Sequence, residues 1–218
     1  MRDRNEWLIP LTGVAFVVLA IITLVISGGE PPEAKEGAQK IVDHYVDNKD
    51  EIQISSLIST IAAAVLIFFF GYLRKVLRAA EGENGMLSLV AFSGAVILGI
   101  AIAIDSTISF ALSEAADDIE PAAAQALQAL WDNDFMPFAL GSIVVLLGSG
   151  LSIVRHGALP KWLGWVAIVL GVISMTPVGF VGFLGAAVWI VIVSVILTMR
   201  ARAAAAPPPP GQTTMPAS

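Results

Sequence analysis

Charge in this chain is confined to short strips between long apolar runs. Residues 7–26, 57–73, 87–104, 135–154 and 162–199 contain no Asp, Glu, Lys or Arg. A surface in water cannot be covered that way, whereas a surface in lipid needs no charge. In hydrocarbon every backbone N–H and C=O must be satisfied within the protein, which leaves only helices and closed barrels. Runs of roughly 20 apolar residues match the length of a spanning helix. The expected fold is therefore all-α, a polytopic membrane helix bundle. Only 14% of residues are charged, against about 25% in soluble domains.

Four of the runs each supply one span, and the fifth is too long for one. As a single helix, 162–199 would measure about 57 Å, nearly twice the hydrocarbon thickness. The sequence Thr176-Pro177-Val178-Gly179 interrupts it. Pro177 lacks a backbone donor and disfavours helix at the residue before it. Two helices joined by a tight turn are expected there. The predicted spans are residues 7–27, 52–73, 86–108, 135–155, 162–175 and 178–199, in a domain of residues 1–202. The 203–218 tail, with Pro207 to Pro210, is expected to be a disordered, proline-rich cytoplasmic segment.

With the N-terminus inside, nine of the twelve cations fall on inner strips: Arg2, Arg4, Arg74, Lys75, Arg78, Arg155, Lys161, Arg200 and Arg202. Only Lys35, Lys40 and Lys49 fall outside. The positive-inside rule thus favours six spans with both termini cytoplasmic. The two long outer strips are acidic, and each carries a short amphipathic pattern. Ala34, Ala38, Ile41, Val42 and Tyr45 form one apolar face; Ala123, Leu127, Leu130 and Trp131 form another, behind a helix start at Asp118 or Glu120 with Pro121. Two short outer helices are expected to cap the bundle.

Small residues recur where helices can approach closely: Ala91, Ala95, Gly99 and Ala103; Gly164, Ala167, Gly171 and Ser174; Ser55, Ser59 and Ala63. Packing within the chain is the expected use, a homodimer face the alternative. Trp7, Trp162 and Trp165 are placed at the inner interface and Trp131 near the outer one, as aromatic belts require.

Chemistry is sparse. With no cysteine, disulfides, thiolate catalysis and Cys-based metal sites are excluded. No cofactor motif is present, and no basic stripe suits nucleic acid. Asp105 is the one acid near a span interior, a candidate ion or proton site. The run Leu87–Ile104 before it is eighteen residues without a charge, about 27 Å of helix, so Asp105 is expected at the outer boundary, hydrated, in a helix emerging into water. Asp43, His44, Asp47 and Glu51 share a helical face that could hold a divalent cation, though the spacing suits a solvated face better. Arg155 and His156 fit an inner loop facing anionic headgroups. No histidine lies at depth to activate a serine, and no aspartate pair is present, so no enzyme is expected.

The run Arg155-His156-Gly157-Ala158-Leu159-Pro160-Lys161-Trp162-Leu163-Gly164-Trp165 resembles an R-x-G-x-L-P-[RK]-W-L-G-W stretch in uncharacterised six-span bacterial membrane proteins. The first outer loop, with Lys40-Ile41-Val42-Asp43-His44-Tyr45, is similar to relatives in actinobacteria. These proteins form a domain-of-unknown-function class, so the resemblance implies fold and membrane location and no activity. The expectation is a multi-pass plasma-membrane protein with a structural, accessory or sensing role, in contact with the lipid bilayer and with another membrane protein or a second copy. The alternative is a small-solute or ion permease.

Overall fold

The computed structural model describes residues 6–83, 85–176 and 178–205, and every element among them is helical. Arg2, Arg4, Pro177 and the tail from 206 onward lie outside the described residues. Five helices are long and apolar enough to cross a membrane. The chain is an all-α, multi-pass membrane bundle.

A 3-10 turn, Glu6–Leu11, leads into α1 (Thr12–Ile26). Pro10 explains the change of pitch, because its ring opposes the carbonyl four residues back. Two short helices follow the pattern of the first acidic strip: α2 (Ala38–Asp47) buries Ile41 and Tyr45, after a 3-10 turn at Ala34–Glu36. Next come α3 (Lys49–Glu81) and α4 (Met86–Ala115). At 1.5 Å per residue these measure about 50 and 45 Å, well beyond the ~30 Å of hydrocarbon. The excess projects from the bundle and carries α2 and α5 (Pro121–Trp131), the latter opened by Glu120 and Pro121. The chain continues through α6 (Phe135–His156), α7 (Lys161–Ile173) and α8 (Gly179–Ala205). The break expected near Pro177 is present, and α7, at 13 residues, is only about 20 Å long.

The long helices form a ring. α3 packs on α1 and α4, α4 on α6, α6 on α7, α7 on α8, and α8 returns to α1 and its 3-10 turn. One end of the ring holds α2 and α5, the capped end. The other gathers Arg74, Arg78, Arg155, Lys161, Arg200 and Arg202, the basic end.

The α4–α6 seam is backbone against backbone. A Cβ on Gly94 would stand 2.4 Å from the Val145 nitrogen, and one on Gly148 would stand 2.7 Å from the Ala91 nitrogen. Gly141 meets Leu98 in the same way, at 2.7 Å. Of the stripe read from sequence, Ala91 faces α6 while Gly99 faces Ile67 of α3, so α4 is wedged between two neighbours within the chain. The second stripe behaves alike: Gly164 lies against Gly150 and Val154 of α6, and Gly171 against Leu146.

At the basic half the ring is filled by Leu66, Phe69, Phe70, Leu73, Leu77, Leu146, Ile153, Leu163, Trp189 and Val193. The Trp189 indole N–H donates to the Leu163 carbonyl at 2.9 Å, which satisfies the only polar atom on that side chain. Phe68, Ile61, Ile100, Val169 and Val188 point outward and stay exposed, as lipid-facing residues should. The α6–α7 loop follows its sequence. Gly157 ends α6 in the left-handed region (φ 72°), Leu159 is buried, and Pro160 precedes α7. Arg200 donates to the Ala158 carbonyl at 2.7 Å, and the Arg202 guanidinium lies 4.2 Å from the Trp7 ring centre.

The seam generates a comparison. Gly94→Leu must push α6 away, and overpacking of this kind costs about 1–3 kcal/mol, whereas Ile100→Leu on the outward face is mild. Thermal unfolding in detergent should show a clear loss for the first and little change for the second; equal melting temperatures would mean the seam does not hold the bundle.

Candidate functional site: a roofed cavity at the capped end

The cap is tied together by buried polar groups. Tyr45, fully buried, donates its hydroxyl to Gln128 Oε1 at 2.9 Å, and Gln128 Nε2 donates to Asp132 Oδ1 at 2.8 Å. The other Asp132 oxygen accepts the Ala34 N–H at 2.8 Å, and Gln125 donates to the Ala34 carbonyl at 2.7 Å. This chain of bonds links α2 to α5 across some ninety residues of sequence. Burial, reinforced by the Asp105 and Asp132 carboxylates, pushes the Tyr45 hydroxyl well above its ordinary pKa, so it stays a donor. Ile41, Tyr45, Ile52, Leu112, Ala116 and Ala124 form a small apolar core around the network.

That network corrects the face expected for α5. Ala123 and Leu130 are exposed, and the buried positions are Ala124 and Gln128. The helix is rotated because Tyr45 requires an acceptor where the apolar pattern alone would place a methyl group.

Beneath the cap, between α1, α3, α4 and the start of α8, is a cavity of about 720 Å³. Two helices line it with the same spacing: Ser55, Ser56 and Ser59 from α3, and Asp105, Ser106 and Ser109 from α4. Positions i, i+1 and i+4 share one helical face. Thr23 and Ser27 come from α1, and His44, Tyr45 and Trp131 from the cap; Ala20, Leu24, Ile52 and Phe180 make the apolar wall. Several hydroxyls bond their own helix: Ser55 donates to the Ile52 carbonyl and Ser106 to that of Ile102, at 2.9 and 2.8 Å. Thr23 Oγ1, Trp131 Nε1 and Asp134 Oδ2 are buried without a hydrogen-bond partner.

Asp105 is placed differently from the expectation of an acid in open water. Helix α4 runs ten residues past it to Ala115, because the cap supplies packing there. The carboxylate is half-buried, beside the Trp131 indole N–H and within the field of Asp134. Trp131, expected in an aromatic belt, turns inward to the cavity instead.

His44 sits at the junction of this cavity with a surface groove of about 540 Å³; both are bordered by Glu30, Pro31 and His44. Desolvation lowers the His44 pKa below its usual value, and the neighbouring Asp47 opposes that shift. Asp43 and Asp47 line the groove with Glu33 and Glu36. Asp43 accepts a hydrogen bond from Gln39 at 2.8 Å, and among the described residues no group of three acidic or histidine side chains is placed to hold a metal ion. Arg155 and Trp162 lie at the other end, exposed, remote from the cavity. Sequence reasoning passed over Gln128 and took Ser55 and Ser59 for a helix-contact stripe; the repeated Ser-Ser-x-x-Ser and Asp-Ser-x-x-Ser spacing was the available signal.

No protein-family model, curated protein or solved structure matches the chain.

Tyr45→Phe removes the donor and strands the buried Gln128 oxygen. Leaving such a group unsatisfied costs about 1–3 kcal/mol, and the loss should be local. Hydrogen exchange of the α2 and α5 amides is expected to accelerate while α6 and α7 stay protected; unchanged exchange in the cap would remove the network from the account of its stability.

Proposed function

We propose that this chain is a non-enzymatic plasma-membrane protein of six spans, with both termini cytoplasmic, that acts as a sensing component by receiving a ligand beneath its outer cap. The kinship of its Arg155–Trp165 loop with uncharacterised six-span bacterial proteins belongs to the same proposal.

One observation carries the sensing role. The lining reaches Ala20 and Ser59 and stops, and below it Leu66, Phe69 and Phe70 are at most 1% exposed. A cavity that is polar at one end and closed by a packed core can bind a solute without passing it. The six-span layout is supported by Phe180, which opens α8 and lines the cavity together with Leu24 and Ser27 at the end of α1. The turn between α7 and α8 therefore reaches the capped end, and α7 with α8 makes a pair of crossings, the first short enough to thin the bilayer locally.

The chain has no native cysteine, so single cysteines report topology cleanly. Asp43→Cys, Asp118→Cys and Val178→Cys should react with an impermeant thiol reagent in intact cells, and Ala80→Cys and Arg155→Cys should not. Labelling at Arg155, or protection at Val178, would overturn the layout. The permease alternative draws on Asp105 in the polar lining and has its own test. Proteoliposomes holding the wild type should show no proton or cation flux above empty vesicles; flux that Asp105→Asn abolishes would replace the sensing role by transport.

A further inference from the structure

We propose that the cavity under the cap is a binding site for an organic ammonium ion, whose charge rests against Asp105 and whose apolar portion rests against the α1 and α8 wall. This names the ligand class of the sensing role and rests on it.

The sign of the charge follows from the lining. Asp105 and Glu30 are the formally charged groups among the lining residues, and no Lys or Arg accompanies them. The half-buried Asp105 carboxylate thus has no cation beside it in the lining, and the Trp131 indole N–H in the same lining is without a hydrogen-bond partner. A cation in the cavity compensates the carboxylate, and an anion is repelled. The approach has the same sign: the groove that meets the cavity at Glu30, Pro31 and His44 carries Glu33, Glu36, Asp43 and Asp47 against Lys40 alone.

The rest of the wall decides which cation. A bare metal ion needs several convergent oxygen ligands. Here Asp105 is joined by no second acid or histidine in a metal-holding group, and no acidic or histidine triad is assembled among the described residues. Ala20, Leu24, Ile52 and Phe180 offer hydrocarbon instead, and Trp131 offers aromatic surface beside the acid. Carboxylate together with aromatic rings is how proteins hold ammonium groups, by Coulomb attraction and the ring quadrupole. The volume of about 720 Å³ falls within the ~300–1,000 Å³ of small-molecule sites. The unpartnered Thr23 hydroxyl is an acceptor for an N–H of a primary amine. The ammonium could arrive as a free amine or as the headgroup of a lipid, since the chemistry is shared.

The experiment uses the purified full chain in detergent and four probes of matched length: hexylammonium, hexyltrimethylammonium, hexanol and hexanesulfonate. Binding is followed by calorimetry and by the rise in melting temperature that a native-state ligand produces. Saturable binding of the two cations, at least tenfold tighter than hexanol, is expected, with hexanesulfonate weakest. Asp105→Asn should bring the cations down to the level of hexanol; Asp118→Asn, on the exposed surface, should not. Competition by lysophosphatidylethanolamine would assign the ammonium to a lipid headgroup, and its failure to compete would assign it to a free amine; either agrees with the proposal. Hexanol or hexanesulfonate binding as tightly as the cations would overturn the ammonium class and leave a ligand-receiving cavity. Binding of none of the four would overturn the site, and the sensing role with it. If Asp105→Asn does not fold, Trp131→Leu, expected to weaken the cations at least threefold relative to hexanol, takes its place, and an unchanged ratio there overturns the proposal.

Discussion

Helices in lipid are not pushed together by the hydrophobic effect, because lipid tails are as apolar as the side chains. They associate where surfaces fit closely enough for dispersion and weak polar contacts to outweigh lipid contact. In this chain that fit is concentrated where α4 meets α6. Gly94, Gly141 and Gly148 let two backbones touch, and a single methyl group at any of them would collide with main chain. The rest of the ring is hung on this seam. α3 lies on the opposite side of α4, with Gly99 against Ile67, and α7 lies on the far side of α6, with Gly164 against the Gly150 carbonyl. α8 in turn meets the residue after α7 through Gly182, where a Cβ would stand 2.8 Å from the Ser174 nitrogen, and it returns to the first 3-10 turn where Ser194 donates to the Pro10 carbonyl at 2.5 Å.

The seam also explains where the cavity is. Helices α6 and α7 contribute none of its lining. Where backbones meet through glycine no space is left, and space appears on the α1, α3 and α4 side, where serines and a carboxylate replace bulky residues. Toward the basic end α1 presents Phe16, α3 presents Phe69, Phe70 and Leu73, and α4 presents Phe92, and the space closes. One end of the bundle is therefore packed as a core and the other held open under a roof. The roof stays in place because α3 and α4 outrun the bilayer and because Tyr45, Gln128 and Asp132 satisfy one another within it.

Much of this was legible from residue order alone. Among the described residues, six of the eight α-helices, α1, α3, α4, α6, α7 and α8, follow from the uncharged runs and from the break after Thr176; α2 and α5 follow from their apolar spacing. The loop from Gly157 to Pro160 behaves as its glycine and proline require. What escaped was direction. Asp105 was expected in water because the length of the apolar run marks where hydrocarbon ends, and it carries no information about what folds over that point. The face of α5 was misjudged for a related reason: a helical wheel ranks side chains by hydrophobicity, and Gln128 is buried for the sake of a hydrogen bond. Trp131 turned inward on the same account. Each miss lies at the cap, where contacts between residues distant in sequence, such as Tyr45 with Gln128, decide the outcome.

The charge pattern that first revealed the bundle bears on the cavity as well. Residues 28–54 and 113–134 hold seven and six acids against three lysines. Those lysines do not neutralise the surface evenly. Lys35 pairs with Glu33, Lys40 with Glu36 and Lys49 with Glu114, all on the rim. Exposed pairs of this kind contribute little to stability, yet each cancels one local acid and leaves the remainder uncompensated. The surplus includes Glu30, Asp43 and Asp47 along the groove that meets the cavity. A cleft lined by one sign of charge raises the local concentration of the opposite sign and speeds its arrival. Within a Debye length of about 8 Å at physiological salt, that field acts over the groove rather than over the whole surface. The acidic strips thus surround the mouth of the cavity with one sign of charge, and that field is the long-range part of the proposed preference for a cation.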